Sequence, residues 1–265
     1  MSDDPSDLLA RGWDDAAEGY DRYFVPRFAP WVATATSALH ARTLPPGPIL
    51  VPCCGTFPEL PALAAAHPGR EIVGIDLSPG MLARARRRTA AHPQARLVHG
   101  DAVELASRWP GEAAAVVSVF GLQQLPDPAA AITGWVSALR PGGVLSVLCW
   151  PDETETDGPF ALLDEVIDEA LPNAAGSAAW HLQLAERATS AGARVEHDEP
   201  VSHRIDHPDA ESFWTAMVGG GPLHKLVLSH GEEFTAELGK RFMTRAPSGP
   251  WHHHPTAHWL VAHAT

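Results

Sequence analysis

The sequence predicts an α/β fold, a mainly parallel sheet with helices on both faces and a helical segment ahead of it. Three observations predict it. Apolar runs at about 48–52, 71–75, 95–99, 113–119 and 143–149 alternate with segments of helical length. The fourth run, Ala113 to Val119, is apolar without alternation, as a strand covered on both faces must be. The first two runs bracket a Gly-containing turn, and the second ends on Asp76, about twenty residues past that turn.

In chain order, residues 8–42 read as helical with interruptions. Trp13, Ala16, Ala17 and Tyr20 fall at helical spacing, Tyr23, Phe24 and Phe28 follow, and a second helix spans Trp31 to about Arg42. The segment is either an amphipathic helix pair lying on the domain or a lid whose aromatics close over a ligand. Leu44-Pro-Pro-Gly-Pro is a turn. Helix 57–66 follows the first strand, with Thr56 as cap, Pro58 at its first position and Glu59 at the positive end of its dipole. Ser78-Pro79 starts a helix running to Arg88. The third strand ends in His99-Gly100-Asp101, and the loop Phe120 to Pro128 leads to a helix ending near Leu139. Arg140-Pro-Gly-Gly then turns into strand 143–149. Beyond it come an acidic loop, helices at 159–170 and 180–191, a sixth strand from Arg194 to Ile205, helices at 209–218 and 222–244, and a closing strand, Ala257 to His263. We expect one domain over 1–265, with an N-terminal helical lid (1–44), a cofactor-binding core (45–150) and a remainder (151–265) holding an insertion, lid helices and closing strands.

Composition narrows the partners. A formal net charge of −13 disfavours nonspecific binding to nucleic acid or an anionic membrane. Three cysteines, two of them adjacent, make no disulfide framework and fit a reducing cytoplasm. The acidic start is no secretory signal, and no uncharged apolar run reaches the length of a membrane span. A cytoplasmic monomer or homodimer is expected.

Asp76 is the first candidate for function, because a carboxylate at a strand tip can accept from both hydroxyls of a ribose. The turn before it keeps one glycine, Gly55, with Cys53 and Phe57 where a dinucleotide fingerprint has further glycines.

Taken together, the stretches Tyr20 to Tyr23, Val51 to Leu60, Val73 to Leu82, Gly100-Asp101-Ala102, Gly121 to Pro128 and Leu139 to Gly143 resemble the class I S-adenosylmethionine-dependent methyltransferases, in particular actinobacterial small-molecule enzymes of the ubiquinone/menaquinone methylase-like group. The resemblance implies a Rossmann-like seven-stranded, mainly parallel sheet whose last strand is antiparallel, with S-adenosyl-L-methionine across the strand ends. It implies that Cys53, Cys54, Gly55 and Thr56 face the methionine part, and that Asp76 holds the ribose beside Leu77 and Met81. Gly100, Asp101 and Ala102 would receive the adenine. Phe120, Gly121, Gln123 and Gln124 would flank the methionine part and open toward the acceptor, and Tyr20 would cover the cofactor. The departures are Val51, where similar enzymes carry an acid, and Cys53 and Phe57; Phe57 is expected to push its ring toward the amino-acid tail.

Methyl transfer demands alignment and exclusion of water, with a base only for some acceptors. Base candidates are His224, after a Gly-rich segment, and His252 and His254 of a three-histidine run whose alternation on a strand lets at most two share a face. Tyr23, Gln123, Trp150 and Trp214 are candidates for the acceptor pocket, although Trp214 also suits core packing. No metal centre is expected; Cys53 and Cys54 suit two small apolar residues in a buried turn. The function expected is methyl transfer to a small molecule of secondary metabolism. The alternatives are a cyclase or isomerase on the same scaffold, or a binding subunit without cofactor.

Overall fold

The computed structural model describes residues 5–40, 42–172 and 179–265. The chain divides into two compact units: one of Met1–Phe28, Asp152–Ala178 and Ser202–Thr256, the other of Ala29–Pro151, Ala179–Val201 and Ala257–Thr265.

The second unit carries a seven-stranded sheet. Its strands are β1 (Ile49–Pro52), β2 (Ile72–Asp76), β3 (Ala95–His99), β4 (Ala113–Val119), β5 (Leu139–Cys149), β6 (Ala193–Ser202) and β9 (Thr256–Ala264), in the order β3-β2-β1-β4-β5-β9-β6. The pairs from β3 to β5 are parallel, and β9 runs antiparallel to β5. This is the seven-stranded, Rossmann-like sheet expected. Helices α2 (Leu60–Ala66), α3 (Pro79–Thr89), α4 (Leu105–Arg108), α5 (Pro128–Ala138) and α7 (Leu184–Ser190) connect the strands. Leu50, Val73, Ile75, Val116 and Leu145 join one buried cluster with Leu105, Ile132, Trp135 and Leu184. Their strand neighbours Ile49, Val51, Ile72 and Leu148 are buried too. Both faces of the central strands are therefore covered, which accounts for their unbroken apolar runs.

The first unit holds the start of α1 (Pro5–Ser37), α6 (Pro159–Ala170), α8 (Ala210–Gly220), α9 (His224–His230), α10 (Glu232–Arg245) and an antiparallel pair, β7 (Ile205–His207) with β8 (Trp251–His253). Among the described residues, no helix is long and apolar enough to cross a membrane.

Several boundaries differ from expectation, each for a local reason. Helix α1 is continuous through Pro26 and Pro30, where interruptions are predicted. Proline keeps a helical φ but loses a hydrogen bond and crowds the carbonyl four residues back, a cost that burial of Phe24, Phe28, Trp31, Val32 and Ala35 on either side offsets. Helix α2 starts at Leu60 rather than 57, and Thr56 does not cap it, because Phe57 takes a left-handed conformation (φ 65°) that no helix can contain. The helix expected over 222–244 breaks at Gly231 (φ 87°) into α9 and α10. The expected sixth strand divides into β6 and β7, and β8 precedes the closing strand.

Candidate functional site

The strand order turns back on itself at β1 and β4, and an open α/β sheet binds ligands outside the carboxyl ends of its strands at such a point. The expected residues of the second unit collect there, in the loops after β1 to β5.

Asp76 ends β2 and ties two of these loops together. Its Oδ2 accepts the Gly55 N–H at 2.8 Å and its Oδ1 the Ser78 N–H at 2.9 Å. Ser78 in turn caps α3 by accepting from Met81 N at 3.0 Å.

The turn after β1 takes left-handed backbone at three positions, only one of which is a glycine. Cys53, Gly55 and Phe57 have φ of 54°, 52° and 65°. For an L-residue with a Cβ such a conformation costs about 1–2 kcal/mol, and it persists only where the surroundings over-determine it. The surroundings do so through glycines placed elsewhere. A Cβ on Gly74 of β2 would lie 2.9 Å from both Cys54 Sγ and Phe57 Cε1. A Cβ on Gly121 would lie 2.3 Å from the Cβ of Cys53. Phe57 is fully buried. Its ring fills the space against β2 instead of projecting from the turn toward a ligand, which corrects the expected obstruction. Phe120, at the end of β4, is also left-handed (φ 58°). Three of the four non-glycine residues with positive φ among those described thus sit at the ends of β1 and β4.

Around the turn, the other expected residues have defined partners. Burial first, and the nearby carboxylates of Asp76 and Asp101 second, push the Cys53 thiol well up; burial, Asp76 and Glu59 do the same to Cys54. Both are protonated fillers of the turn, and no group of metal-ligating side chains occurs among the described residues. Asp101 Oδ1 accepts from Val103 N at 2.9 Å, and Ala102 O accepts from Trp135 Nε1 at 2.8 Å. Leu77 O accepts from His99 Nε2 at 2.9 Å. Met81 is buried with its sulfur facing Gly55, and Gly100 lies against the guanidinium of Arg108. Gln123 Nε2 donates to Phe120 O at 2.7 Å, and Gln124 is half-buried beside it. Phe120 stacks on Trp150 with centroids 4.1 Å apart, and Trp31 meets both rings edge-on.

One feature of this neighbourhood escaped the sequence reading. Glu59 stands at the N-terminus of α2, where the helix dipole was expected to favour it, but it is buried and its Oε2 has no hydrogen-bond partner. Burial pushes its carboxyl up to about 8, against the backbone hydrogen bond and Arg88 that favour the charged form. A Glu following a proline carries no sequence signal of burial.

The remaining expected residues belong to the first unit. Tyr20 packs among Trp13, Phe24 and Phe28. Tyr23 hydrogen-bonds His207 at 2.8 Å. His224 Nδ1 faces Val218 O at 3.1 Å and its Nε2 faces Asp15 at 3.3 Å. Trp214 packs against Gly239 and Phe242 of α10, a packing role. His252 and His254 are exposed, and His253 between them is buried.

An open α/β sheet with an acid-tipped second strand and a left-handed turn at the switch point defines a nucleotide-cofactor fold. Residues 49–143 match the Methyltransferase domain family. The demethylmenaquinone methyltransferase of Staphylococcus aureus is 38% identical over 98 residues, which span 36% of this chain and 40% of that protein. Among solved structures, the phosphoethanolamine N-methyltransferase 2 of Haemonchus contortus, in complex with S-adenosylhomocysteine, superposes with a TM-score of 0.53 at 15% identity, covering 97% of this chain and 59% of that one. The cyclase SpnF superposes with a TM-score of 0.52 at 19% identity, covering 87% and 80%. Residues 49–143 are thus similar to the methyltransferase domain family, and the solved structures share the fold of the chain.

Proposed function

We propose that the strand-end site of the second unit binds S-adenosyl-L-methionine and that the protein transfers its methyl group to a small molecule, in secondary metabolism. The observation that carries the proposal is the turn: strain held in left-handed backbone at Cys53 and Phe57 is hard to account for in a chain that has given up its cofactor. Asp76 would take the ribose hydroxyls, with Leu77 and Met81 on the adenine side. Asp101 would accept from the adenine amino group while Ala102 donates a backbone N–H and Gly100 leaves room. Cys53 to Thr56 would line the methionine part, with Phe120, Gly121, Gln123 and Gln124 flanking it. When bound, the cofactor supplies an electrophilic methyl on a sulfonium. The chain's part is to orient the acceptor and exclude water, and the Phe120–Trp150 stack is an apolar wall suited to that.

The relative that is 38% identical over 98 residues is named for a quinone-type acceptor, which supports a small-molecule substrate here. Calorimetric titration with S-adenosylmethionine and S-adenosylhomocysteine tests the proposal. Both are expected to bind, and Asp76→Asn, which replaces one carboxylate oxygen by a donor, is expected to weaken both by about tenfold or more. Absence of binding to the wild-type protein would overturn it.

A further inference from the structure

The first unit contains a chain of four polar side chains, with His207 and His253 buried and Tyr23 half-buried, that the proposed methyl transfer does not account for. Glu155 precedes α6, His253 closes β8, His207 closes β7 and Tyr23 lies on α1. Glu155 Oε2 is 2.6 Å from His253 Nδ1, His253 Nε2 is 3.1 Å from His207 Nε2, and His207 Nδ1 is 2.8 Å from the Tyr23 hydroxyl. The side chains of Glu155 and His253 are 5% and 3% exposed, and His207 is 2% exposed. Register explains the junction: Ile205 pairs with His253 and His207 with Trp251, so His207 and His253 are diagonal neighbours on one face of the β7–β8 pair. Phe213 meets the His207 ring and Phe160 the His253 ring edge-on.

The direction of the chain follows from its anchored end. Glu155 Oε1 accepts the backbone N–H of Phe160 at 2.7 Å and that of Ala161 at 3.4 Å. The carboxylate is thereby fixed as an acceptor, and His253 must donate to it from Nδ1. His253 Nε2 then carries a lone pair, so His207 donates from Nε2 and presents a lone pair at Nδ1, to which the Tyr23 hydroxyl donates. The Arg27 guanidinium lies 3.7 Å over the Tyr23 ring. The other charged groups facing the chain are Asp206 and Asp209, toward His207 and Tyr23, and Asp164, toward Glu155. Burial and the neighbouring His253 and Arg27 hold His207 down to about 3, so this ring passes a proton on and does not keep it.

We propose that Tyr23, His207, His253 and Glu155 form a proton relay within the first unit, through which the Tyr23 phenol oxygen takes a proton from a hydroxyl, phenol or amine group of a small molecule bound to that unit. As that proton arrives on the Tyr23 oxygen, the phenol proton moves to His207 Nδ1. The His207 Nε2 proton moves to His253 Nε2, and the resulting imidazolium is balanced by the Glu155 carboxylate. No other reactant is consumed. The relay is independent of the methyl-transfer proposal.

Its test needs neither cofactor nor acceptor. In Glu155→Gln, the amide carbonyl has to face the Phe160 and Ala161 N–H groups, which turns the NH2 toward His253 and reverses every hydrogen bond along the chain. Long-range nitrogen–proton NMR of labelled histidines is expected to show His207 as the Nε2–H tautomer and His253 as Nδ1–H in the wild type, and both inverted in E155Q. Tyr23 would then accept a hydrogen bond that favours its phenolate, and its titration midpoint is expected to fall by about one unit or more. The chain has two tyrosines, so ring-carbon NMR resolves Tyr23 with Tyr20 as the unmoved control. Unchanged tautomers and an unmoved Tyr23 midpoint in E155Q would overturn the relay and leave a structural staple. Should E155Q fail to fold, the wild type decides alone: His207 protonated at Nδ1 would overturn it. Cofactor titration of the same wild-type sample separately decides the methyltransferase proposal.

Discussion

At Glu59 a buried carboxyl contributes a pH dependence of stability. Its folded value lies above the ordinary 4.5, at about 8. Between those values the folded protein holds a proton that the unfolded chain has lost, so stability declines as pH rises through that window. Glu59→Gln removes the titration. Thermal melts from pH 5 to 8 are expected to show a steeper decline in the wild type than in E59Q, where Asp164, pushed up to about 7 chiefly by burial, still contributes below pH 7, and E59Q is expected to gain on the order of a few kcal/mol at pH 8. The strained turn makes an opposed pair of predictions. Cys53→Gly relieves a left-handed residue at a position where little side chain is lost, and should raise stability by about 0.5–1 kcal/mol in denaturant unfolding, with cofactor binding kept. Phe57→Gly relieves similar strain but empties a buried ring site, and should lower stability by about 3–5 kcal/mol. Equal effects of the two would mean that the ring against Gly74 does not hold the turn.

Elements meet closely where glycine permits it. In the first unit α1 and α8 cross backbone to backbone: a Cβ on Gly220 would fall 2.5 Å from the Gly19 carbonyl carbon, and one on Gly19 would fall 2.7 Å from the Gly220 Cα. Neither glycine has a positive φ, so their requirement is steric alone. Gly220→Ala is expected to force the helices apart and lower the melting temperature, by an amount equivalent to about 1–3 kcal/mol. Both helices read correctly as helices from their sequence spacing, yet neither glycine announces its partner. The same holds for the strand ends. Runs such as Ala113 to Val119 were legible because burial on both faces leaves a compositional trace. Phe57 was misplaced because its role depends on Gly74, seventeen residues away and on another strand. The relay was half legible: alternation along the three-histidine run indicated two faces, but which face is buried depends on β7, some forty-six residues upstream.

For the molecule as a whole, a net charge of −13 repels polyanions over a Debye length of about 8 Å at physiological salt. The protein is accordingly expected not to sediment with anionic lipid vesicles and not to retard duplex DNA at that ionic strength. Sedimentation and gel-shift measurements check both. What the sequence by itself determined is the alternation of strands and helices along the sheet, the acid at the tip of β2, the cap at Ser78 and the likeness of residues 49–143 to a methyltransferase domain. All of these are written in residues close together in the chain, as periodicity, caps and spacing. Tertiary structure alone decided that α1 would run through two prolines, that Phe57 would turn inward, that Glu59 would be buried uncharged and that His253 would join His207. In each case the deciding neighbour lies far along the chain or comes from another element, and burial against that neighbour outweighs the local preference of the backbone.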